Sequence, residues 1–517
     1  MPDRPNILVI MTDQQKATAS HLYGNSFCET PSMARLAGEG VLFEHAFTPH
    51  PLCVPARVSL WTAQFPHSHG ARRNQTFMPA GANHAFRIWH AAGYHCGLIG
   101  KNHCFDRPED LDLFDTWCEI SHGGLPKNAE TKGLPWFRPL DSIHAAHAQR
   151  RSLTPQNPRF AYATSDLPLE DHSTGLIAGQ TVRFLEQHRH EPFALWVSLP
   201  DPHEPWVAPQ RYAAMFPPDK IDLPPWRETE FDDRAPQRNR ILFKMLGVQD
   251  DNIEDVYGLM GVYYGMVRFI DDALGQIMDA LDGLNLRQKT IVVFCSDHGD
   301  FMGEHRMQCK GGVFYDCLTR IPLIVSWPGQ IPEGQSDASM VNLIDVVPTL
   351  LQLQGLDVPR SMSGQPLPTV TAAPPRDAAF SEYGAGGPPF GLADLAALPR
   401  PFGRKTLIQS LQWREAEGRR KMVRTREWKV VHDPMGDRDE LYDLVNDPWE
   451  LENEIDTPAH RDVIAGMRLR LLDWSIRTED APPVPLPDLN KFTLLQPPSR
   501  GRWQHPEDGV RSKRKFL

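Results

Sequence analysis

Asn6-Ile7-Leu8-Val9-Ile10-Met11 is an apolar run that stops at Thr12-Asp13-Gln14. A strand with one wet face alternates apolar and polar residues, whereas a strand covered on both faces does not. The run, with β-branched Ile7, Val9 and Ile10, therefore predicts a buried parallel strand that ends in a carboxylate and an amide. The same texture returns at Phe193–Leu199, Thr290–Cys295 and Ile321–Ser326, with shorter strands predicted at Val41–Phe47 and Tyr94–Ile99. Between them fall helical stretches: Pro31–Glu39, Ala85–Ala92, Ser173–His188 with Ser173 as its N-cap, and the long amphipathic Val256–Leu281. Strands that alternate with helices predict an α/β fold, a large and mostly parallel sheet covered by helices on both faces.

The texture changes after about residue 375. Gly384–Gly403 is rich in Gly and Pro and reads as a loop, followed by strands at Lys421–Thr425 and Trp428–His432 and a helix from His460 to Ile476. The organisation this predicts is a catalytic α/β unit over 1–375, a smaller α+β unit over 376–479, and an extended arm over 480–517 that is either disordered or wrapped around a neighbouring subunit in a homo-oligomer. At 517 residues the chain is long enough for both units, and 41% hydrophobic with 23% charged residues is an ordinary globular balance. A net charge of -11 argues against a nucleic-acid partner but leaves room for an anionic substrate held by a local cluster of cations. The run Ile7–Met11 is too short for a signal peptide's apolar core, and no stretch approaches the ~20 apolar residues that span a bilayer. A cytoplasmic protein away from the membrane is the expectation. Eight cysteines form no CxxC pair and are read as free thiols.

Three groups of residues carry chemistry. Asp13-Gln14 and Asp297-His298 each follow a predicted buried strand, and ligands in parallel sheets gather at carboxyl ends of strands. Either acid alone could simply cap its turn; two such pairs at equivalent strand ends favour a divalent cation held by carboxylates, an amide oxygen and an imidazole. Next comes Cys53-Val54-Pro55-Ala56-Arg57, ahead of the helical run Val58–Ala63. Pro55 suits the first turn of a helix, so Cys53 sits at a helix N-terminus, where backbone donors favour an anion, and Arg57 lies one turn along the same face. Read alone, Cys53 fits a buried structural thiol equally well. The third group is Gly100-Lys101-Asn102-His103 at the end of a strand, a point charge for an anion and a proton acceptor or donor two residues apart. His203, after the Phe193–Leu199 strand, and Lys310, after His298, are weak signals taken singly.

Together, Cys-x-Pro-x-Arg, Gly-Tyr…Gly-Lys-x-His, Asp-Gln after the first strand, Asp-His-Gly before a distant Lys, and Glu440-Leu441-Tyr442-Asp443-Leu444 near the end resemble the formylglycine sulfatases, in that family's order from about residue 5 to 455. The resemblance implies the alkaline phosphatase fold and a maturase that oxidises Cys53 to formylglycine. It matches Asp13, Gln14, Asp297 and His298, with the modified Cys53, to the ligands of one divalent ion. It matches Arg57, Lys101, His103, His203 and Lys310 to the residues around the nucleophile and the sulfate, and Asn74 to a substrate-contacting Asn. Gln14 and His298 look like the choline sulfatase and phosphonate monoester hydrolase branch, which leaves calcium and manganese both open. Lys101 and His103 follow the sulfatase pattern, whereas phosphonate hydrolases carry hydroxyl residues there. Val54 and Thr62-Ala63 depart from the usual small residue and Thr-Gly around the motif cysteine.

The activity so implied is hydrolysis of small sulfate monoesters. A formylglycine hydrate attacks sulfur, His203 with Lys310 protonates the leaving alcohol, and His103 takes the proton whose loss expels sulfate. Hydrolysis of phosphonate monoesters or phosphodiesters on the same site is the alternative reaction. A binding protein with an unmodified Cys53 thiol is the alternative without one.

Overall fold

The computed structural model describes residues 4–120, 131–153, 161–248, 253–398 and 417–479. Strand β1 (Asn6–Thr12) lies in the middle of the main sheet, and every one of its residues is buried. Ile7 pairs with Ala194 on one side and Ile291 on the other, both in parallel register. The other strands are β2 (Gly40–Phe47), β3 (His95–Gly100), β4 (Thr116–Glu119), β5 (Phe193–Ser198), β6 (Thr290–Ser296), β7 (Leu323–Ser326) and β8 (Gln335–Asn342). Their order is β8-β2-β7-β6-β1-β5-β3-β4, with the short Arg320–Ile321 segment pairing beside β2. Within that path only β7 runs against its neighbours. Pro322 divides the single strand expected over Ile321–Ser326 in two, since it has no N–H to give a ladder.

Alternate residues of β1 feed two cores. Ile7, Val9 and Met11 pack with Val54, Val58 and Trp61 of α1 (Cys53–Thr62) and with Phe86 and Trp89 of α2 (Ala85–Ala91). Leu8 and Ile10 pack with Leu176 and Phe184 of α3 (Ser173–His188) and with Ile270 and Ile277 of α4 (Ile253–Gly283). This two-sided burial is why the run does not alternate. Truncating Ile10 to Ala would cost about 2–5 kcal/mol.

Some local expectations change. The N-cap of α3 is His172, not Ser173; the Ser173 hydroxyl instead donates to Asp201 Oδ2 at 2.9 Å and accepts from Arg150 Nη1. Serving a buried carboxylate outweighs capping there. The loop expected at Gly384–Gly403 holds a short helix, Leu392–Ala396, whose Asp394 carboxylate accepts from the Gly391 amide. Residues 399–403 of that stretch, the following residues up to 416, and the arm over 480–517 lie outside the described residues.

A second sheet, antiparallel, has the order β9 (Ala379–Tyr383), β10 (Arg420–Arg424), β11 (Trp428–His432), β12 (Glu440–Asp443). Helix α5 (Arg461–Thr478) lays Ile464, Met467, Leu471 and Trp474 on Val423, Val430 and Leu441 of this sheet, and Phe65 and Ile344 from the first part of the chain join the same cluster. Among the described residues no helix is long and apolar enough to cross a membrane.

Candidate active site

At the carboxyl end of β1, Asp13 is fully buried among cations. Its Oδ2 accepts from Arg57 Nη2 at 2.9 Å and from Lys101 Nζ, and its Oδ1 is 3.6 Å from Cys53 Sγ. Burial alone would raise this carboxyl; Lys101, His203, Arg57 and Lys310 outweigh it and hold Asp13 well below the usual carboxylate range. At the end of β6, Asp297 Oδ1 accepts from the amides of Gln14 at 3.0 Å and His298 at 2.9 Å, while Oδ2 accepts from Arg57 Nε at 2.9 Å. Arg57 thus bridges the carboxylates from the two strand ends, and its Nη1 also donates to Ser198 Oγ at 2.7 Å.

The backbone at these ends is shaped for the site. Gly100 closes β3 at φ 112°, and a Cβ there would stand 2.0 Å from the Ser198 carbonyl oxygen, so only glycine lets β3 finish beside β5. The Lys101 amide then donates to that same carbonyl at 2.8 Å, which turns the Lys101 side chain onto Asp13. Gln14 and His103, the non-glycine residues just past β1 and β3, take left-handed φ of 67° and 49°. Strain of this kind gathers where a site demands it.

Helix α1 brings the thiol. Cys53 is its first residue and Pro55 its third, as expected, and every residue of the helix is buried. The cap residue, Leu52, has no capping side chain; Asn74 Oδ1 accepts from the Val54 amide at 3.1 Å instead. At the other end, Ala63 occupies the left-handed C-cap at φ 52°, the place where glycine is usual. Cys53 Sγ lies 3.2 Å from His298 Nε2 and 3.4 Å from Lys310 Nζ. Burial first and Asp13 second push this thiol up to about 12.

Four of the expected residues form a donor set. One ligand atom each from Asp13, Cys53, Asp297 and His298 lie within 4.8 Å of one another. The Nδ1 of His298 is 2.9 Å from the Gly299 carbonyl oxygen, so it carries the proton and donates there. Its Nε2 lone pair therefore faces Asp297 Oδ1 at 3.7 Å and Asp13 Oδ1 at 4.0 Å. Lone pairs converging from an imidazole and two carboxylates fit a divalent cation. Gln14 turns its carbonyl oxygen to Lys310 Nζ because its amide nitrogen donates to Asp300 Oδ2 at 2.5 Å.

The remaining expected residues lie around this core. His203 is buried, with Nδ1 2.8 Å from the Glu204 carbonyl oxygen, and burial followed by Lys310 holds it well below its ordinary value. Lys310 stays charged, because the carboxylates that face it, Asp13 and Glu204 first among them, outweigh its burial. His103 is half-buried on the loop after β3, edge-on to Phe77. Several contributors escaped the sequence reading. Asp300, pushed up to about 7 by burial, orients Gln14. The Tyr263 hydroxyl donates to the backbone carbonyl oxygen of Gln14 at 2.9 Å, and Asp201 anchors the His203 loop through Arg150, Ser173 and Thr174. The repeated Asp in Asp297-His298-Gly299-Asp300 was a usable signal; nothing about Tyr263 in the middle of a helix was.

Comparison with known proteins decides what this arrangement is. The sequence profile of the sulfatase family matches residues 5–356, which takes in every residue named at the site. The chain belongs to the sulfatase family. It is a sulfuric ester hydrolase with the fold of the alkaline phosphatase superfamily. It is similar to the sulfatase YidJ of Escherichia coli (strain K12), 29% identical over 491 residues that span 92% of this chain and 88% of that protein. The choline-sulfatase of Rhizobium meliloti (strain 1021) is 26% identical over 499 residues, 92% of this chain and 88% of the relative. In structure, the phosphonate monoester hydrolase of Agrobacterium radiobacter shares the fold, with a TM-score of 0.71 at 24% identity over 94% of this chain and 100% of that one.

Histidines held neutral in this sulfatase set its acid limit. Burial is the first cause that depresses His45, His172 and His298 to about 4, His50 and His69 to about 3, and His203 well below 6.5. Below about pH 6.5 the unfolded chain takes up protons at these rings that the native state refuses, so stability is lost as pH falls from there toward 4. Asp300 and Glu450, both raised to about 7, act the other way, as do the upward shifts of Glu204, Asp271, Asp345, His305 and His432, but the strongly depressed rings outnumber the strongly raised acids. The melting temperature is expected to be clearly lower at pH 5 than at pH 7.5 in thermal scans. A constant or rising value would refute this accounting.

Proposed function

We propose that this sulfatase uses formylglycine made from Cys53 and one divalent ion, calcium or manganese, held by Asp13, Gln14, Asp297, His298 and the modified residue 53. The observation that carries the proposal is the meeting of Asp13, Cys53, Asp297 and His298 within 4.8 Å, with Arg57, Lys101 and Lys310 as cations on the same groups. When present, the ion supplies Lewis acidity and the aldehyde hydrate supplies a nucleophilic oxygen together with a second hydroxyl.

The chain's own residues do the rest. Lys101 and Lys310 bind the sulfate oxygens, and their fixed charges are already in place before charge moves to the leaving oxygen. His203 hands a proton to the departing alcohol. It is largely neutral in the free protein, and an incoming sulfate monoanion raises its proton affinity, with the ammonium of Lys310 beside it. His103 accepts the proton whose removal releases inorganic sulfate. Arg57 holds Asp13 and Asp297 in position rather than touching substrate, because its Nε, Nη1 and Nη2 donate to Asp297, Ser198 and Asp13 within 2.9 Å. Asn74 contacts the substrate beside the start of α1.

The same reading gives a formylglycine-generating maturase as the partner that modifies Cys53. It divides the chain into a catalytic unit over 1–375, a smaller unit over 376–479 and an oligomerising arm over 480–517. Eight free cysteines support a cytoplasmic site of action.

Two measurements test this. Chelation is expected to abolish hydrolysis of aryl sulfates, with calcium or manganese restoring it; full activity in demonstrably metal-free protein sinks the assignment. With matched leaving groups, kcat/KM is expected to be higher for sulfate than for phosphonate monoesters, because Lys101 and His103 stand where phosphonate hydrolases carry hydroxyls. The reverse order establishes the phosphonate reaction instead.

A further inference from the structure

The other end of the main sheet carries a second cluster of ligand-type side chains. His95 opens β3, His188 is the last residue of α3, and Glu191 lies in the turn that leads to β5. At about 3.3 Å of rise per residue, His95 lies roughly 20 Å along the chain from Lys101. One ligand atom from each of the three lies within 4.8 Å of the others. Glu191 Oε1 is 2.6 Å from His188 Nδ1 and 3.8 Å from His95 Nδ1. Tetrahedral zinc, with bonds of about 2.0–2.1 Å, sets its ligand atoms about 3.3 Å apart, between those two distances.

The surroundings favour a cation over a plain hydrogen-bonded group. His95 Nε2 is 2.9 Å from the hydroxyl of the buried Thr116. With the ring proton donated to that oxygen, the Nδ1 lone pair faces the Glu191 carboxylate, the tautomer a metal ligand needs. A lone pair pointing at a carboxylate is repulsive unless a proton or a cation lies between. Protonating both rings would place two like charges on rings whose centroids are 3.8 Å apart. His188 is buried, and its Nδ1, 2.6 Å from Glu191 Oε1, is the ring nitrogen turned toward the carboxylate. Phe184 packs against both imidazoles, with centroids at 5.6 and 4.5 Å, and forms an apolar wall. Glu191 is half-exposed while the two rings are mostly covered, which leaves an ion a path from the carboxylate side.

We propose that His95, His188 and Glu191 bind a transition-metal dication, zinc above all, at a site separate from the catalytic centre. Two nitrogens and one oxygen suit zinc, nickel or cobalt and do not suit calcium or magnesium. The ion ties the end of α3 to the start of β3, so its effect falls on stability and not on turnover.

The test uses the full chain, first saturated with calcium. Zinc titrated by calorimetry is expected to bind in the micromolar range or tighter and to raise the melting temperature. Affinity should fall at least tenfold in Glu191→Gln, an exposed position, and be lost in His188→Gln, with sulfate ester turnover equal to the parent in Glu191→Gln. Equal zinc affinity in the parent and Glu191→Gln overturns the proposal, as does a parent that binds zinc only at millimolar levels. Cobalt serves as a second readout that needs no buried substitution: the visible absorption of tetrahedral cobalt should develop in the parent and weaken in Glu191→Gln, and its absence in the parent also overturns the site.

Discussion

Replacing Asp297 by Ala is expected to remove metal and activity together and to lower thermal stability as well. This carboxylate accepts from the backbone amides of Gln14 and His298 through one oxygen and from Arg57 Nε through the other. The first oxygen fixes the direction of two of the proposed ligands, so their geometry loosens when it is gone. The second compensates a guanidinium that is wholly buried. Leaving such a cation with Asp13 as its one remaining carboxylate costs about 3–5 kcal/mol, a sum that should lower the melting temperature by several degrees. Loss of the ion and of both orientations should reduce kcat/KM on the order of 10³-fold or more. Metal analysis, a thermal melt and steady-state kinetics on one preparation check all three. Asp297→Asn separates the roles: its oxygen still accepts from the two amides, so it should melt closer to the parent while binding metal weakly. A stable, fully metal-loaded Asp297→Ala protein would falsify the assignment of this carboxylate.

Strand ends were the legible part of this molecule. Ile7–Met11 and Thr290–Cys295 read as double-covered strands because burial on both faces removes polar residues, and Asp13 and Asp297 then stood out as the first acids after them. Cys53 and Arg57 were readable because Pro55 marks a helix start and four residues make one helical turn. Orientation was not legible. Gln14 appears in sequence only as an amide, and its carbonyl direction depends on Asp300, 286 residues away, accepting from its nitrogen. Ser173 looked like an N-cap because local pattern cannot reveal that Asp201 needs its hydroxyl. The same holds for the His95–His188–Glu191 cluster: a strand start, a helix end and a turn are brought together only by the packing of α3 under the sheet.

The largest single effect should come from residue 53. Protein made without the maturase is expected to fold and melt like the mature enzyme yet to be inactive, and activity per molecule should rise in proportion to the fraction of Cys53 carrying an aldehyde. The reason begins with the thiol's surroundings. Buried at the start of α1, 3.6 Å from Asp13 Oδ1, it is pushed up to about 12, so with no metal bound it is a neutral thiol and a poor nucleophile at pH 7. Its position, by contrast, is that of a nucleophile, with His298 Nε2 at 3.2 Å and Lys310 Nζ at 3.4 Å. On the proposed reading the nucleophile is instead a different atom on the same β-carbon. Cys53→Ala removes that possibility and should lower kcat by about 10⁴-fold or more, the scale seen when a nucleophile is deleted. Cys53→Ser keeps one oxygen but lacks the second hydroxyl from which His103 would take a proton, so it should accept sulfate once and stop. A single burst of alcohol no larger than the enzyme concentration, with sulfate left on the peptide, is the expected record. Mass spectrometry of the residue 53 peptide decides the matter in the parent: fully active enzyme whose Cys53 is entirely unmodified would end the formylglycine reading, whatever the fold.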